Sequence, residues 1–189
     1  MKKTLYPLRV TAMLAMLVAI SIICGKYLAI RGGDILRFSF ENLPIIFAGI
    51  AFGPIAGVLV GVVADLVGCV MVGYTINPIV TLGAAAIGAV SAICHTLLKK
   101  IGINSALNTA LSVAVAHVVG SVLIKTFGLA AFYSLPIWAL MLWRLLNYVI
   151  VGAVEAALLI VLMRNKEILR LLSEIKPKKK EGAKGNDIQ

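Results

Sequence analysis

The chain has 189 residues, of which 61% are hydrophobic and 14% are charged, and its net charge is +10. A soluble domain of this length carries about a quarter charged residues and less than half apolar ones, and it needs polar surface to cover its core. The composition therefore excludes an ordinary soluble enzyme, a disordered tail and a disulfide-rich secreted module. It indicates a single domain embedded in a lipid bilayer.

The charge and the cysteines exclude further classes of function. The basic residues gather near the two ends of the chain and are not interleaved with aromatic residues, so they do not indicate nucleic-acid binding. Cys24, Cys69 and Cys94 stand alone in apolar stretches, without the spacing of a metal site. The sequence has no GxxxxGK[ST] loop and no catalytic Ser, His or Cys cluster. We therefore expect no ATP site, no metal, no cofactor and no catalytic residue in this chain.

Six apolar segments follow one another along the chain, and a bilayer core about 30 Å thick needs about 20 such residues per crossing. Lys2 and Lys3 before the first apolar run imitate a signal peptide, but no cleavage motif follows, so we interpret the run as a permanent span. Asn77 stands where the N-cap of the fourth segment is expected. The segments are 8–30, 43–52, 55–72, 79–98, 105–129 and 136–163.

The second segment is the shortest, and at 1.5 Å per residue it does not reach across a bilayer by itself. Six crossings nevertheless place most of the 18 Lys and Arg residues on one side of the membrane, as the positive-inside rule requires. We therefore predict an all-α membrane protein with six transmembrane helices and both termini in the cytoplasm. Residues 1–170 would form the membrane domain, and the lysine-rich residues 171–189 would form a disordered cytoplasmic tail.

A polar insert, residues 31–42, separates the first two segments. Irregular backbone at membrane depth is tolerated only where protein or a water-filled cavity covers it. We therefore predict that this irregular outer loop dips inward and forms the wall of a pocket. Basic residues outnumber Asp34 and Glu41 on the predicted outer side, which favours an anionic ligand. These basic residues are Lys26, Arg31, Arg37, Lys125 and Arg144.

Several ionisable side chains lie inside the predicted spans, where each costs about 2.5–3.5 kcal/mol on insertion scales. Asp65 lies in the third segment, His117 in the fifth and Glu155 in the sixth. Asp65 either pairs with neighbouring donors or contacts a ligand, whereas the inner position of Glu155 favours a structural role. Arg144 keeps its charge and needs an acceptor, which is either an internal carboxylate or a bound anion.

Four short motifs occur in order along the first half of the chain. They are LRFSFENLP at 36–44, AGIAFGP at 48–54, ADLVG at 64–68 and NPIVTLGA at 77–84. Over residues 12–98 they resemble the S components of energy-coupling factor (ECF) vitamin transporters, in particular the folate-specific members. The last two segments match in layout more than in motif. The resemblance implies a six-helix protein of the cell membrane that binds one vitamin from outside.

The resemblance also implies partners. An S component docks on a transmembrane coupling subunit that carries two cytoplasmic ATPases, so the energy source lies in other chains. Ala15 and Ala19 match the family's AxxxA docking motif on the first helix. Small side chains one turn apart let helices approach closely in lipid, which is the property such a docking face needs.

Folate fits the pocket expected from these residues. Its pterin edge presents adjacent N–H donors that a carboxylate or an amide satisfies as a pair, and its glutamate end carries two carboxylates that Arg or Lys would hold. We expect Asp65, His117 and Asn147 around the pterin, with Tyr74 or Phe40 stacking on it. The candidates for the ligand carboxylates are Arg31, Arg37, Lys125 and Arg144.

Three alternatives stay open on the sequence alone. The chain is an S component for another vitamin (thiamin, a pyrimidine precursor or pantothenate), a small self-sufficient transporter, or a membrane assembly protein without a ligand. A cationic vitamin such as thiamin would need more carboxylates than the predicted outer half offers. The segments show no clear inverted repeat, which argues against a self-sufficient transporter.

Overall fold

The structure is a computed structural model that describes residues 8–32, 36–134 and 136–175, without the side chains of residues 31–37. It consists of seven helices and one short hairpin. The helices are α1 (Leu8–Tyr27), α2 (Asn42–Phe52), α3 (Pro54–Val72), α4 (Pro78–Lys100), α5 (Ser105–Tyr133), α6 (Ile137–Arg164) and α7 (Lys166–Ile175). The strands β1 (Ile30–Gly32) and β2 (Leu36–Phe38) lie between α1 and α2.

The helical membrane fold is confirmed, since α1 to α6 coincide with the six predicted apolar segments. Of the helices in the described ranges, α1, α3, α4, α5 and α6 are long and apolar enough to cross a membrane, whereas α2 has 11 residues. At 1.5 Å per residue, α2 extends about 16 Å, roughly half of a bilayer core. The sixth crossing and the cytoplasmic position of both termini stay predictions.

Helix α2 lies inside the bundle. It is apolar on all sides, as expected of a buried helix, and Ile45, Ile46 and Ala48 are almost fully buried. It contacts α1, α3 and α4. Because neighbouring helices cover it, α2 need not span the full thickness of the membrane.

The loop predicted as irregular contains regular structure. Strands β1 and β2 pair antiparallel, with Arg31 opposite Arg37, and the backbone of β2 contacts α6. The hairpin therefore reaches the last transmembrane helix and connects the two ends of the fold at one side of the bundle.

Helix α7 crosses the predicted boundary between membrane domain and tail at residue 170, so residues 171–175 are helical and not disordered. Leu172 is 5% exposed and belongs to the same core cluster as Val10 and Leu14 of α1. Apolar residues on one face of α7 fold it back against the bundle, which the lysine-rich composition concealed. Residues 176–189, the rest of the predicted tail, lie outside the described residues.

The start of α4 is fixed as predicted. Asn77 Oδ1 accepts hydrogen bonds from the amides of Ile79 and Val80 at 3.0 and 3.4 Å, which satisfies donors that have no partner inside the helix. Its Nδ2 donates to the carbonyl of Gly128 at 2.9 Å. Asn77 therefore also ties α4 to α5.

Glycines let α2, α3 and α4 pack with their backbones in contact. A Cβ atom at Gly57 would lie 2.6 Å from the carbonyl oxygen of Gly88, and one at Gly49 would lie 2.5 Å from the same oxygen. A Cβ atom at Gly61 would lie 2.5 Å from the carbonyl oxygen of Ala84. In lipid such close contact is a principal source of helix association.

We predict that Gly57→Val lowers the free energy of unfolding by about 1–3 kcal/mol, since the added atoms overlap a helix backbone that cannot yield. Thermal unfolding of the detergent-solubilised protein measures the effect. Ala157→Val is the matched control, because Ala157 is exposed on α6. Equal melting temperatures for the two variants would contradict the close backbone packing of α3 against α4.

Candidate functional site

A polar cavity of about 230 Å³ opens at the end of the bundle that carries the hairpin. The C-terminal ends of α1, α3 and α5, the start of α4 and the residue before α2 form its walls. Among its lining residues are Lys26, Glu41, Asp65, Cys69, Tyr74 and Tyr133. A narrow inner recess adjoins it, sharing Lys26, Glu41 and Asp65 and adding Ser21 and Lys125.

Asp65 lines both the polar cavity and the inner recess. Thr81 Oγ1 donates a hydrogen bond to Asp65 Oδ2 at 2.6 Å. The Oδ1 atom accepts no hydrogen bond from the part of the chain that the structure describes. Asp65 is therefore held in place through one oxygen, and the other remains an acceptor for a ligand donor.

Lys26 supplies a cation to the cavity. Its Nζ donates to Cys69 Sγ at 3.8 Å and lies 5.6 Å from the centroid of the Tyr74 ring. Within the described residues it forms no ion pair with a carboxylate. A thiol and a ring face are weak partners for an ammonium group compared with a carboxylate, so Lys26 has capacity for an anionic ligand.

Lys125 reaches the recess from α5 and pairs with Glu41. The Nζ–Oε1 distance is 3.0 Å, and Nζ also donates to Asn42 Oδ1 at 3.4 Å. Lys125 is 4% exposed, so this pair neutralises a charge that the membrane interior would otherwise penalise. Glu41 immediately precedes α2, and the pair therefore fixes the end of the hairpin connection against α5.

Three glycines make room for these charged side chains. A Cβ atom at Gly68 would lie 2.8 Å from Lys26 Cε, and one at Gly83 would lie 2.5 Å from Lys125 Cγ. A Cβ atom at Gly25 would lie 2.7 Å from Glu41 Oε2. The glycines thus determine where the Lys26, Glu41 and Lys125 side chains run.

The expected grouping of His117 with Asp65 is not found. His117 Nε2 lies 2.6 Å from Glu155 Oε2, and Nδ1 lies 3.1 Å from Ser121 Oγ. His117 lines a different, apolar recess between α5 and α6. Glu155 is fully buried, so the pair lies in the core and not at the polar cavity, and the structural role of Glu155 stays a prediction.

Arg144 and Asn147 also lie away from the polar cavity. Arg144 Nε donates to the carbonyl of Ser121 at 3.2 Å, and Nη2 donates to Tyr148 Oη at 3.4 Å. Its internal acceptors are thus neutral oxygens and not the internal carboxylate that was one of the two predicted alternatives. Asn147 is buried on α6 and is not among the residues that line the cavity.

The other residues predicted to contact the ligand or a partner protein lie in different parts of the structure. Tyr74 lines the cavity, whereas Phe40 is partly exposed and is not in the lining. The side chains of Arg31 and Arg37 lie outside the described residues, although their backbones pair in the hairpin. Ala15 and Ala19 are both exposed on the outer face of α1.

The charge of the described lining differs from the predicted cationic excess. Lys26 and Lys125 are balanced by Glu41 and Asp65. Sequence reasoning placed Lys26 and Glu41 on the outer side but did not select them for the site. Gly25 and Gly68, which accommodate these two side chains, are visible in the sequence, but the charged residue that each one faces is known only from the structure.

Comparisons with known proteins agree on one family. A family model described as "ECF transporter, substrate-specific component" matches residues 9–163. One similar solved structure is the "Crystal structure of FolT bound with folic acid", with a TM-score of 0.61, 21% sequence identity, and coverage of 79% of this chain and 88% of that one.

A second is the "Structure and mechanism of the S component of a bacterial ECF transporter", with a TM-score of 0.60, 20% identity, and coverage of 89% and 98%. No curated protein matches. Identities this low show the fold, while the family model covers most of the chain. The chain belongs to the family of substrate-specific S components of ECF transporters.

Proposed function

We propose that this S component binds folate from the outer side of the cell membrane and delivers it through an ECF complex. The observation that carries the proposal is the polar cavity, in which a fixed carboxylate acceptor (Asp65), a cation without a described carboxylate partner (Lys26) and two tyrosines (Tyr74 and Tyr133) meet. The fold shared with FolT supports it.

Each part of the cavity matches a part of folate. Asp65 Oδ1 would accept hydrogen bonds from the pterin N–H edge, and Tyr74 would stack on the ring. Lys26 would attract a carboxylate of the glutamate end. Arg31 and Arg37 in the hairpin remain candidates for the same carboxylates.

The size of the cavity favours a site that encloses only part of the ligand. Small-molecule sites usually measure about 300–1,000 Å³, and this cavity has about 230 Å³. It therefore suits the flat ring system, while the remainder of the ligand would extend under the hairpin. The Glu41–Lys125 ion pair would anchor one end of that hairpin beside the bound ligand.

Transport would depend on partner chains. The exposed Ala15 and Ala19 present small side chains on the outside of α1, which suits close packing against a helix of a coupling subunit. Two ATPases attached to that subunit would drive reorientation. Both termini would then face the cytoplasm.

A cationic vitamin such as thiamin is the second candidate. The two carboxylates in the lining, Glu41 and Asp65, weaken the sequence argument against a cation. Binding measurements with both vitamins separate the candidates.

We predict that Asp65→Asn lowers folate affinity about 10–100-fold, because the ligand loses hydrogen bonds to a charged acceptor. Isothermal titration with the detergent-purified protein measures the affinity. The control is Glu174→Gln, whose side chain is 57% exposed on α7. Wild-type affinity in Asp65→Asn would contradict the pterin role, and tight thiamin binding without folate binding would establish the second candidate.

Lys26→Met provides a test of the other end of the ligand. We expect it to weaken folate about tenfold or more and to leave 6-hydroxymethylpterin, which has the pterin ring but no carboxylate, within about twofold. Equal losses for folate and 6-hydroxymethylpterin would show that Lys26 does not contact a carboxylate of the glutamate end.

We predict that Ala15→Trp together with Ala19→Trp abolishes assembly with the coupling subunit but leaves folate affinity of the isolated chain unchanged, since both positions are exposed and neither lines the cavity or the recess. Co-purification with the coexpressed ECF module measures assembly. Ala157→Trp, exposed on α6, is the control. Normal co-purification of the double variant would refute the docking role.

A further inference from the structure

The apolar recess between α5 and α6, which His117 lines, lies on the side of the bundle that would face lipid. Its volume is about 310 Å³, larger than that of the polar cavity. Small residues leave the space: Ala110 and Ala114 on α5, and Gly152 and Ala153 on α6. Val118 and Val149, which also line it, are 48% and 64% exposed, so in a membrane the recess opens towards lipid.

Apart from the proton of the Tyr148 hydroxyl, the side chains of the lining offer no hydrogen-bonding capacity to a polar ligand. Its polar side chains are His117 and Tyr148. Both ring nitrogens of His117 are engaged, by Ser121 and Glu155. Tyr148 stacks on His117 with ring centroids 5.0 Å apart, and its hydroxyl accepts from Arg144. The recess therefore favours a hydrocarbon occupant.

A cation lies beside this recess, in contact with one of its lining residues. Arg144 contacts Tyr148 and Ser121, and no carboxylate among the described residues lies within ion-pair distance of it. A guanidinium inside a span is costly without an anion. Its two hydrogen bonds use two of its five N–H donors, and the other donors remain for an external acceptor.

The depth of Arg144 agrees with a headgroup partner. It lies about 10 Å from the start of α6. Helix α6 has 28 residues and extends about 42 Å, which exceeds a hydrocarbon core of about 30 Å by roughly 6 Å at each end. Arg144 is therefore only a few ångströms below the boundary, and its long side chain can extend to that level.

We propose that the α5–α6 recess is a binding site for one phospholipid, with an acyl chain in the recess and the phosphate on the Arg144 guanidinium. Charge complementarity and the apolar lining select an amphiphile with an anionic group at one end. The proposal depends on the membrane fold and not on folate binding. It gives Arg144 the external anion that the polar cavity does not provide.

Native mass spectrometry of the full chain in detergent, titrated with dioleoyl phosphatidylglycerol, tests the site. We expect one high-affinity adduct. Filling the recess with Ala114→Leu and Ala153→Leu should weaken it about tenfold or more, whereas Ala157→Leu, on an exposed part of α6 outside the lining, should not. Equal adduct formation in all three proteins would overturn the proposal.

The headgroup contact has a separate readout. Arg144→Gln should weaken phosphatidylglycerol about tenfold and leave dioleoylglycerol, which has the same chains without phosphate, within about twofold. Equal weakening of both lipids would overturn the assignment of Arg144 to the phosphate. Folate titration of the same variants separates the two sites. We expect these variants to lose lipid binding and to keep normal folate affinity.

Discussion

The cost of placing charge at membrane depth constrains the whole site. A charge there is retained where a partner or a polar cavity compensates it. The structure uses both solutions. His117 and Glu155 form a short hydrogen bond in the core, away from the polar cavity. Lys26 and Asp65 face a cavity instead, with one threonine, one thiol and one ring as their described partners. The second arrangement is the one that a polar ligand can complete.

Glycine links the packing of the bundle to the chemistry of the cavity. Gly49, Gly57 and Gly88 bring helix backbones together, whereas Gly25, Gly68 and Gly83 make space for charged side chains. Both uses depend on the missing Cβ, but their consequences differ. A larger residue at a position of the first set would push the helices apart. A larger residue at a position of the second set would displace a charged side chain. Close helix packing and the shape of the site thus both require glycine in the same region of the bundle.

Hydropathy and charge were sufficient to predict the six helical segments, the N-cap at Asn77 and the polar character of the hairpin end. They gave the depth of each ionisable residue but not its direction around the helix axis. In α5 a π-helical segment, His117–Ile124, interrupts the regular α-helix. Each residue inserted by such a turn rotates the later part of the helix by about 100° relative to a regular helix. His117 and Lys125, both predicted to contact the ligand, lie at the two ends of this part of α5 and have different partners: Glu155 in the core and Glu41 beside the recess.

Helix α1 joins the two surfaces on which the proposed function depends. Its middle exposes Ala15 and Ala19, and its π-helical end, Ile23–Tyr27, brings Lys26 to the cavity. Ser21 Oγ donates to the carbonyl of Glu41 at 2.6 Å, so the same helix is also tied to the residue that pairs with Lys125. Lys26 follows Ala19 by about 10 Å along the axis, without a flexible connection between them. A ligand that engages Lys26 would therefore act on the helix that a coupling subunit would contact, and no separate relay through the bundle is needed.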